Sequence, residues 1–326
     1  MKTYSTLFLA LIAALSLKAQ EPLRKSTYLT VGFGLSNYLG DLGGNTGVGK
    51  RFFYDNNFKK RTFFYGAGFS YYWRERLGVR FELSGGKLAG SDQDAVFTSV
   101  TDNSYYRLRR NLDFQTRITE GALLVQLQPL KFISSQNRWH HFSVQPYLGF
   151  GLGLFSFNPQ GSYFDEIADD YVWVDLQPLR TEGQGMKEYP GRKPYQLTQW
   201  NLPMVIGFSY VFSPKTSLSF EFMGRKLFTD YLDDVSTNYI DPSLFEKYMN
   251  PEDAEVARAV SNKSNLINPD MAYRVGDQRG NPKKKDFYYT FSVRFSIRLS
   301  RMKSTPTAGY KKDKPFFKYD DLEMCQ

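Results

Sequence analysis

The sequence predicts an all-β fold: an eight-stranded antiparallel transmembrane β-barrel with long outer loops and short periplasmic turns. Three observations predict it. The stretch His141–Asn158 (HFSVQPYLGFGLGLFSFN) puts Phe142, Val144, Pro146, Leu148, Phe150, Leu152 and Leu154 on one face. Ser143, Gln145, Tyr147, Gly149, Gly151 and Gly153 fall on the other, because successive strand side chains point to opposite faces. The second face carries no charge and is cut down to glycine. A half-buried strand of a soluble protein would place Lys, Glu or Asp there; a wall with lipid outside and a narrow interior would not. Second, seven other stretches repeat the alternation and are joined by alternating long and short connections. Third, aromatics reach 17%, with 28 Phe and 23 Tyr, while the mean hydropathy is only −0.46. That is too polar for a bundle of membrane helices and suits a wall in which alternate residues are apolar.

Residues 1–19 read as a secretory signal peptide: Lys2, an apolar core over Leu7–Leu17 too short to span a bilayer, and Ala19 before the cut. The expected organisation is therefore signal peptide 1–19, barrel 20–300 and periplasmic tail 301–326. Removing residues 1–19 takes away Lys2 and Lys18 and lowers the net charge from +9 to +7. In an exported chain this basic balance favours outer-membrane lipid and lipopolysaccharide, or an acidic partner, over nucleic acid. The single cysteine, Cys325, excludes a disulfide framework or cysteine metal cluster within the chain.

The first strand is expected over Thr27–Ser36, with Leu29, Val31, Phe33 and Leu35 outward, followed by a long Gly/Asn-rich loop, Asn37–Lys60. The second, Arg61–Trp73, presents Phe63, Tyr65, Ala67, Phe69, Tyr71 and Trp73; a short charged turn leads to the third, with Val79, Phe81 and Leu83 outward. A second long loop is expected from Leu88 to Arg110. The fourth strand, Asn111–Leu127, is irregular: Leu123, Val125 and Leu127 share a lipid face, but Phe114 and Ile118 have opposite parity, which predicts a β-bulge near Gly121. The fifth strand is the stretch described first, and Pro159–Gln196 after it is expected as loop. The sixth strand, Trp200–Phe212, and the seventh, with Leu218, Phe220 and Phe222 outward, flank a tight turn at Ser213-Pro214-Lys215. The longest loop, Thr229–Lys285, contains EDAEVARAV at Glu252–Val260, a short helix capped by Asn250 with Pro251 as its first residue. The last strand puts Tyr289, Phe291, Val293, Phe295, Ile297 and Leu299 outward. The first long loop follows the first strand, so both termini are expected in the periplasm.

A barrel of this size is filled by its own side chains. Arg80, Glu82, Glu120, Glu221, Arg225 and Arg294 all point inward, and buried charges must be paired. The spacing predicts a structural ion-pair network rather than an ion path. His140 and His141 lie in an inner turn, away from the outer rim where a membrane hydrolase would need them, and neighbouring strand residues point apart, so neither catalysis nor a metal pair is expected. The acidic stretch Thr229–Ser236 lacks the spacing of a calcium loop. It is expected either as a solvated loop or as a site for hydrogen bonds to neighbouring loops. Lys283-Lys284-Lys285 falls at the outer rim, at the depth of lipopolysaccharide phosphates, and a simple interfacial lysine cluster explains it equally well. Gly32-Phe33-Gly34 and the Gly149–Gly153 run precede no helix and are not phosphate loops. No cofactor is implied.

Four stretches carry a family resemblance: SNYLGDLG at Ser36–Gly43, Arg110-Asn111-Leu112, LQPLRTEGQG at Leu176–Gly185, and FTDYLDDVSTNYID at Phe228–Asp241. Together they resemble an outer-membrane barrel family of gliding and related bacteria that includes the PorG component of the type IX secretion system. Asp41, Gln177, Glu182, Asp230, Asp233 and Asp234 are the polar positions within those loop motifs. The resemblance implies an eight-stranded outer-membrane protein associated with the periplasmic ring of the secretion machine. It implies no catalysis. The functional expectation is a non-enzymatic, anchoring barrel contacting periplasmic secretion-machine proteins; a small transport pore or a surface ligand-binding barrel is the alternative.

Overall fold

A computed structural model describes residues 25–42, 61–73, 76–94, 103–133, 144–213 and 215–300. The expected signal peptide, the tail, most of the first long loop and both histidines lie outside the described residues. The strands are β1 (Ser26–Leu39), β2 (Thr62–Trp73), β3 (Leu77–Ser91), β4 (Asp113–Leu127), β5 (Val144–Ser156), β6 (Gln160–Asp165), β7 (Asp170–Asp175), β8 (Thr198–Val211), β9 (Thr216–Leu227) and β10 (Phe287–Arg298). They form one antiparallel sheet in the order β3-β2-β1-β10-β9-β8-β5-β4-β6-β7, and β3 also pairs with β4. That extra pairing closes eight of the strands into a barrel; β6 and β7 are a hairpin outside the ring. First and last strands are joined without a break from Tyr28↔Arg298 to Leu39↔Phe287. Closure of this kind leaves no unpaired edge in lipid, which the bilayer requires.

The alternation of the sequence becomes the wall. Phe33, Phe150 and Ile206 are 58%, 65% and 62% exposed on the outer face, where hydrocarbon replaces water. Their inward neighbours are Gly, Ser, Thr, Tyr and the charged residues, with a small buried cluster of Ala122, Leu124, Val205 and Met223 among them. On β5 the inner face must be small: a Cβ on Gly151 would lie 2.0 Å from the Leu123 carbonyl oxygen of β4. Glycine there allows the two backbones to approach. Among the described residues, no helix is long and apolar enough to cross a membrane.

Five expectations need correction. No bulge interrupts β4: its register with β3 is continuous from Ser91↔Asp113 to Leu77↔Leu127. Phe114 and Ile118 are buried on the inner face, because at that height the barrel is filled by an apolar cluster with Tyr38, Phe155, Leu227 and Leu232 rather than by polar groups. Strand β3 runs on to Ser91, past the expected start of the loop at Leu88. The Pro159–Gln196 loop contains the β6–β7 hairpin, whose strands are too short to show a clear period. Tyr289 has outward parity but is buried, with Phe222, Phe287 and Phe291 ring centroids 5.5, 6.4 and 5.6 Å away. A helix also spans Ser243–Tyr248, ahead of the expected one, which runs Pro251–Ser261 with the Asn250 side chain accepting from the Asp253 N–H.

Strands β3 and β4 are 15 residues each, more than the roughly 9–11 a tilted strand needs to cross. Their upper ends, and the loops between strands, form a cap over the barrel. A Gly151→Val substitution is expected to block closure of β4 against β5. The folded, heat-modifiable band on cold electrophoresis should disappear, while a Leu152→Val control on the lipid face should keep it.

Candidate functional site

Two polar assemblies lie inside this frame, one in the lumen and one in the cap. In the lumen, Arg80 (β3) donates to Glu221 (β9) through Nη1 at 2.6 Å and Nη2 at 3.1 Å. Arg294 (β10) makes the matching fork to Glu82 (β3), at 3.0 and 2.9 Å, and reaches Glu221 at 3.2 Å. Arg80 Nε lies 3.0 Å from Glu82, and the Tyr147 hydroxyl donates to Glu221 at 2.7 Å. A second group sits beside it: Arg225 donates to Glu120 at 3.0 Å, to Thr290 at 2.7 Å and to the Met223 carbonyl at 3.0 Å. Asn201 donates to Glu120 at 2.6 Å, and the Arg225 guanidinium lies 5.0 Å from the Tyr288 ring centroid. The structure thus brings the inward charges together as two paired groups drawn from several strands. All six charged side chains are buried. Bidentate arginine–carboxylate geometry of this kind fixes orientation as well as charge. Below it, a polar vestibule of about 90 Å³ runs from Arg80 and Arg294 to Lys131 and Lys215 at the short-turn end.

The cap is built from the loop motifs. Glu182 accepts from the Ser236 and Thr237 amides at 2.9 Å each, from the Thr237 hydroxyl at 2.7 Å and from Arg279 at 2.9 Å. Asp234 accepts from Thr181 and, at 2.7 Å, from the Tyr195 hydroxyl. Asp233 accepts from the Tyr38 hydroxyl and from the Leu42 and Val235 amides at 3.0 Å each. Asp230 accepts from Ser236 at 2.7 Å, Asp41 from the Asn281 amide, and Gln177 donates to the Tyr195 carbonyl at 3.2 Å. Arg110 makes a fork to Asp92 at 2.7 and 2.8 Å and donates to the carbonyls of Asp41 and Arg279. Four stretches distant in sequence therefore meet in one buried knot. The Thr229–Ser236 carboxylates are neither solvated nor arranged around an ion; they bond loop to loop. Among the described residues no group of His, Cys, Asp or Glu is placed to hold a metal. Arg279 and Asp286 were not singled out from sequence: Arg279 follows Asp277 by two residues and Asp286 directly follows three lysines, so each reads as one charge among exposed neighbours, with nothing local to mark its burial.

Burial sets the electrostatics of the cap. It pushes the Asp233 carboxyl up to about 8, helped by the charge of Asp41. It pushes Asp230 up to about 7 and Asp234 to about 6, the latter against the opposing pull of Arg279. Asp286 is raised well above its ordinary value by burial and by Asp233 and Asp230, and Asp41 is raised by burial.

The model of the family described as "Outer membrane protein beta-barrel domain" matches residues 6–242. The attachment invasion locus protein Ail of Yersinia pestis aligns at 8% identity and TM-score 0.35, over 85% of this chain and 99% of that one. OprG of Pseudomonas aeruginosa aligns at 12% identity and TM-score 0.33, over 85% and 98%. A major outer membrane protein of Thermus thermophilus aligns at 10% identity and TM-score 0.35, over 85% and 100%. No curated protein sequence matches the chain.

Two outcomes follow from these assemblies. Glu221→Ala leaves Arg80 and Arg294 to share Glu82, and stranding a buried charge costs about 3–5 kcal/mol; urea unfolding in lipid vesicles should show a loss of that order. The cap carboxyls have raised native pKa values, so the native state holds more protons than the unfolded chain between about pH 4 and about pH 8. Their contribution is complete below the unfolded pKa and is lost as pH rises through the native values. Hydrogen exchange of the 229–241 amides, corrected for intrinsic rate, should show more frequent cap opening at pH 8.5 than at pH 5.5, by up to about tenfold per pH unit for each proton released.

Proposed function

The chain belongs to the outer-membrane-protein β-barrel family and is an integral barrel of the bacterial outer membrane; we propose that within that family it is a non-catalytic, anchoring component associated with type IX protein secretion. The observation that carries the anchoring role is closure of the bore at two levels. The Arg80–Glu221–Arg294–Glu82 quartet fills the lumen, and the Glu182–Arg279 knot roofs it. A barrel sealed in this way acts through its two rims rather than through its centre. The secretion association rests on the loop-motif resemblance, whose residues form that roof.

The short connections, Trp73 to Leu77 and Val211 to Thr216, lie at the end where β1 begins and β10 finishes. In this proposal that end faces the periplasm, so residues 301–326 leave the barrel beside the secretion apparatus. The belt of exposed aromatic and aliphatic side chains meets outer-membrane lipid and lipopolysaccharide. Two measurements test the reading. Planar bilayers containing the purified barrel should show no steady conductance; an open channel would favour transport instead. Crosslinking in intact cells, with and without residues 301–326, should lose periplasmic secretion proteins with the tail, and identical partners would remove the anchoring role.

A further inference from the structure

One cleft of the outer rim belongs to neither assembly. It has a volume of about 520 Å³, within the range of small-molecule sites. Its walls are the upper ends of β3 and β4, the β6–β7 hairpin and the chain around Lys263. Lys87, on the lining, stands directly opposite Arg117, which adjoins the cleft one residue pair along the sheet; Lys87 on β3 and Arg117 on β4 are both exposed on the outer face. Like charges in that position destabilise a sheet unless something neutralises them. Neither side chain has an anionic partner among the described residues. The nearby carboxylates are committed: Asp113 to Lys263 and Ser162, Asp175 to the Gln160 amide.

The hairpin supplies the complementary wall. Gln160 of β6 pairs with Gln115 of β4, and their side-chain amides bond at 3.2 Å, so the hairpin continues the outer face of the barrel. From that face Tyr171 and Trp173 line the cleft, 63% and 39% exposed. The Tyr171 hydroxyl and Trp173 indole N–H have no partner among the described residues. Gln93, also on the lining, donates to Asn111, and its side-chain carbonyl oxygen has no donor among the described residues.

We propose that this cleft binds an anionic saccharide: a sugar bearing phosphate or carboxylate, held by Lys87 and Arg117, with its ring against Trp173 and Tyr171. Each part of the cleft has one task. The guanidinium and ammonium form charge-assisted bonds to the anion. The aromatic rings offer broad, rigid apolar faces with a polar edge, suited to a ring with C–H groups on one side and hydroxyls on its rim. The side-chain amide and phenol serve those hydroxyls. The saccharide has two sources in keeping with a cleft on the outer rim: the core of lipopolysaccharide in the same leaflet, or an acidic polysaccharide outside the cell. The proposal does not depend on the secretion role.

The test uses the full mature barrel in nanodiscs of phospholipid alone, with calorimetric titration. The probes are deacylated lipopolysaccharide, polygalacturonate, neutral dextran and inorganic phosphate. At least one of the two acidic saccharides should bind, more weakly as salt is raised, and which one binds identifies the source. K87Q/R117Q should weaken that binding at least tenfold and W173A several-fold, while K283Q, on the turn before β10, leaves it unchanged. Binding of neither acidic saccharide overturns the proposal. So does equal binding of dextran, equal binding of phosphate alone, or unchanged affinity in K87Q/R117Q.

Discussion

A barrel of eight strands has too little interior for bulk water, so any charge that points inward must find its counter-charge on another strand. The rest of this structure depends on that constraint. Arg80 and Glu82 sit two residues apart on β3, yet their main partners, Glu221 and Arg294, come from β9 and β10. The bonds run across the bore rather than along the wall. Each fork therefore fixes the rotation of one strand relative to strands that do not touch it. Glycine and serine at inner positions beside the network make room for guanidinium groups of this size; a Cβ on Gly32 would lie 3.1 Å from the Arg294 side chain.

Above the network the chemistry changes. The upper barrel holds Phe114, Ile118, Phe155 and Leu227, all buried, and the cap rests on them. The cap is in turn a small folded layer: Leu176, Leu179, Met186, Ile240 and Phe245 pack with the Pro251–Ser261 helix. Its carboxylates are anchored mainly by backbone amides, hydroxyls and two arginines, Arg110 and Arg279. Apolar packing excludes water, and that exclusion raises the carboxyl pKa values and makes each bond to the loops count.

The wall was legible from the sequence because its signal is strictly periodic. A lipid face and an inner face alternate, and a register error would turn every side chain to the wrong solvent. The inward positions of the six charged residues followed from the same parity. Legibility failed where the environment changes along a strand. Phe114 and Ile118 looked out of phase only because apolar residues were assumed to face lipid; above the membrane the same strand buries them beneath loops. The hairpin β6–β7 was hidden for a related reason, since Tyr163 and Val174 pack under the cap while Tyr171 and Trp173 face outward, with no lipid to impose a clean pattern. In the cap the motif residues could be named, but not their meeting. Asp41 and Asn281, or Glu182 and Arg279, are brought together by tertiary structure alone.

One contact carries a consequence for biogenesis. Tyr38 lies on the first strand and bonds to Asp233 and Asp286, the latter one residue before the last strand begins. These groups are remote until β1 and β10 are sewn together. The lid therefore cannot lock over an unfinished cylinder, and its locking reports that the seam has closed.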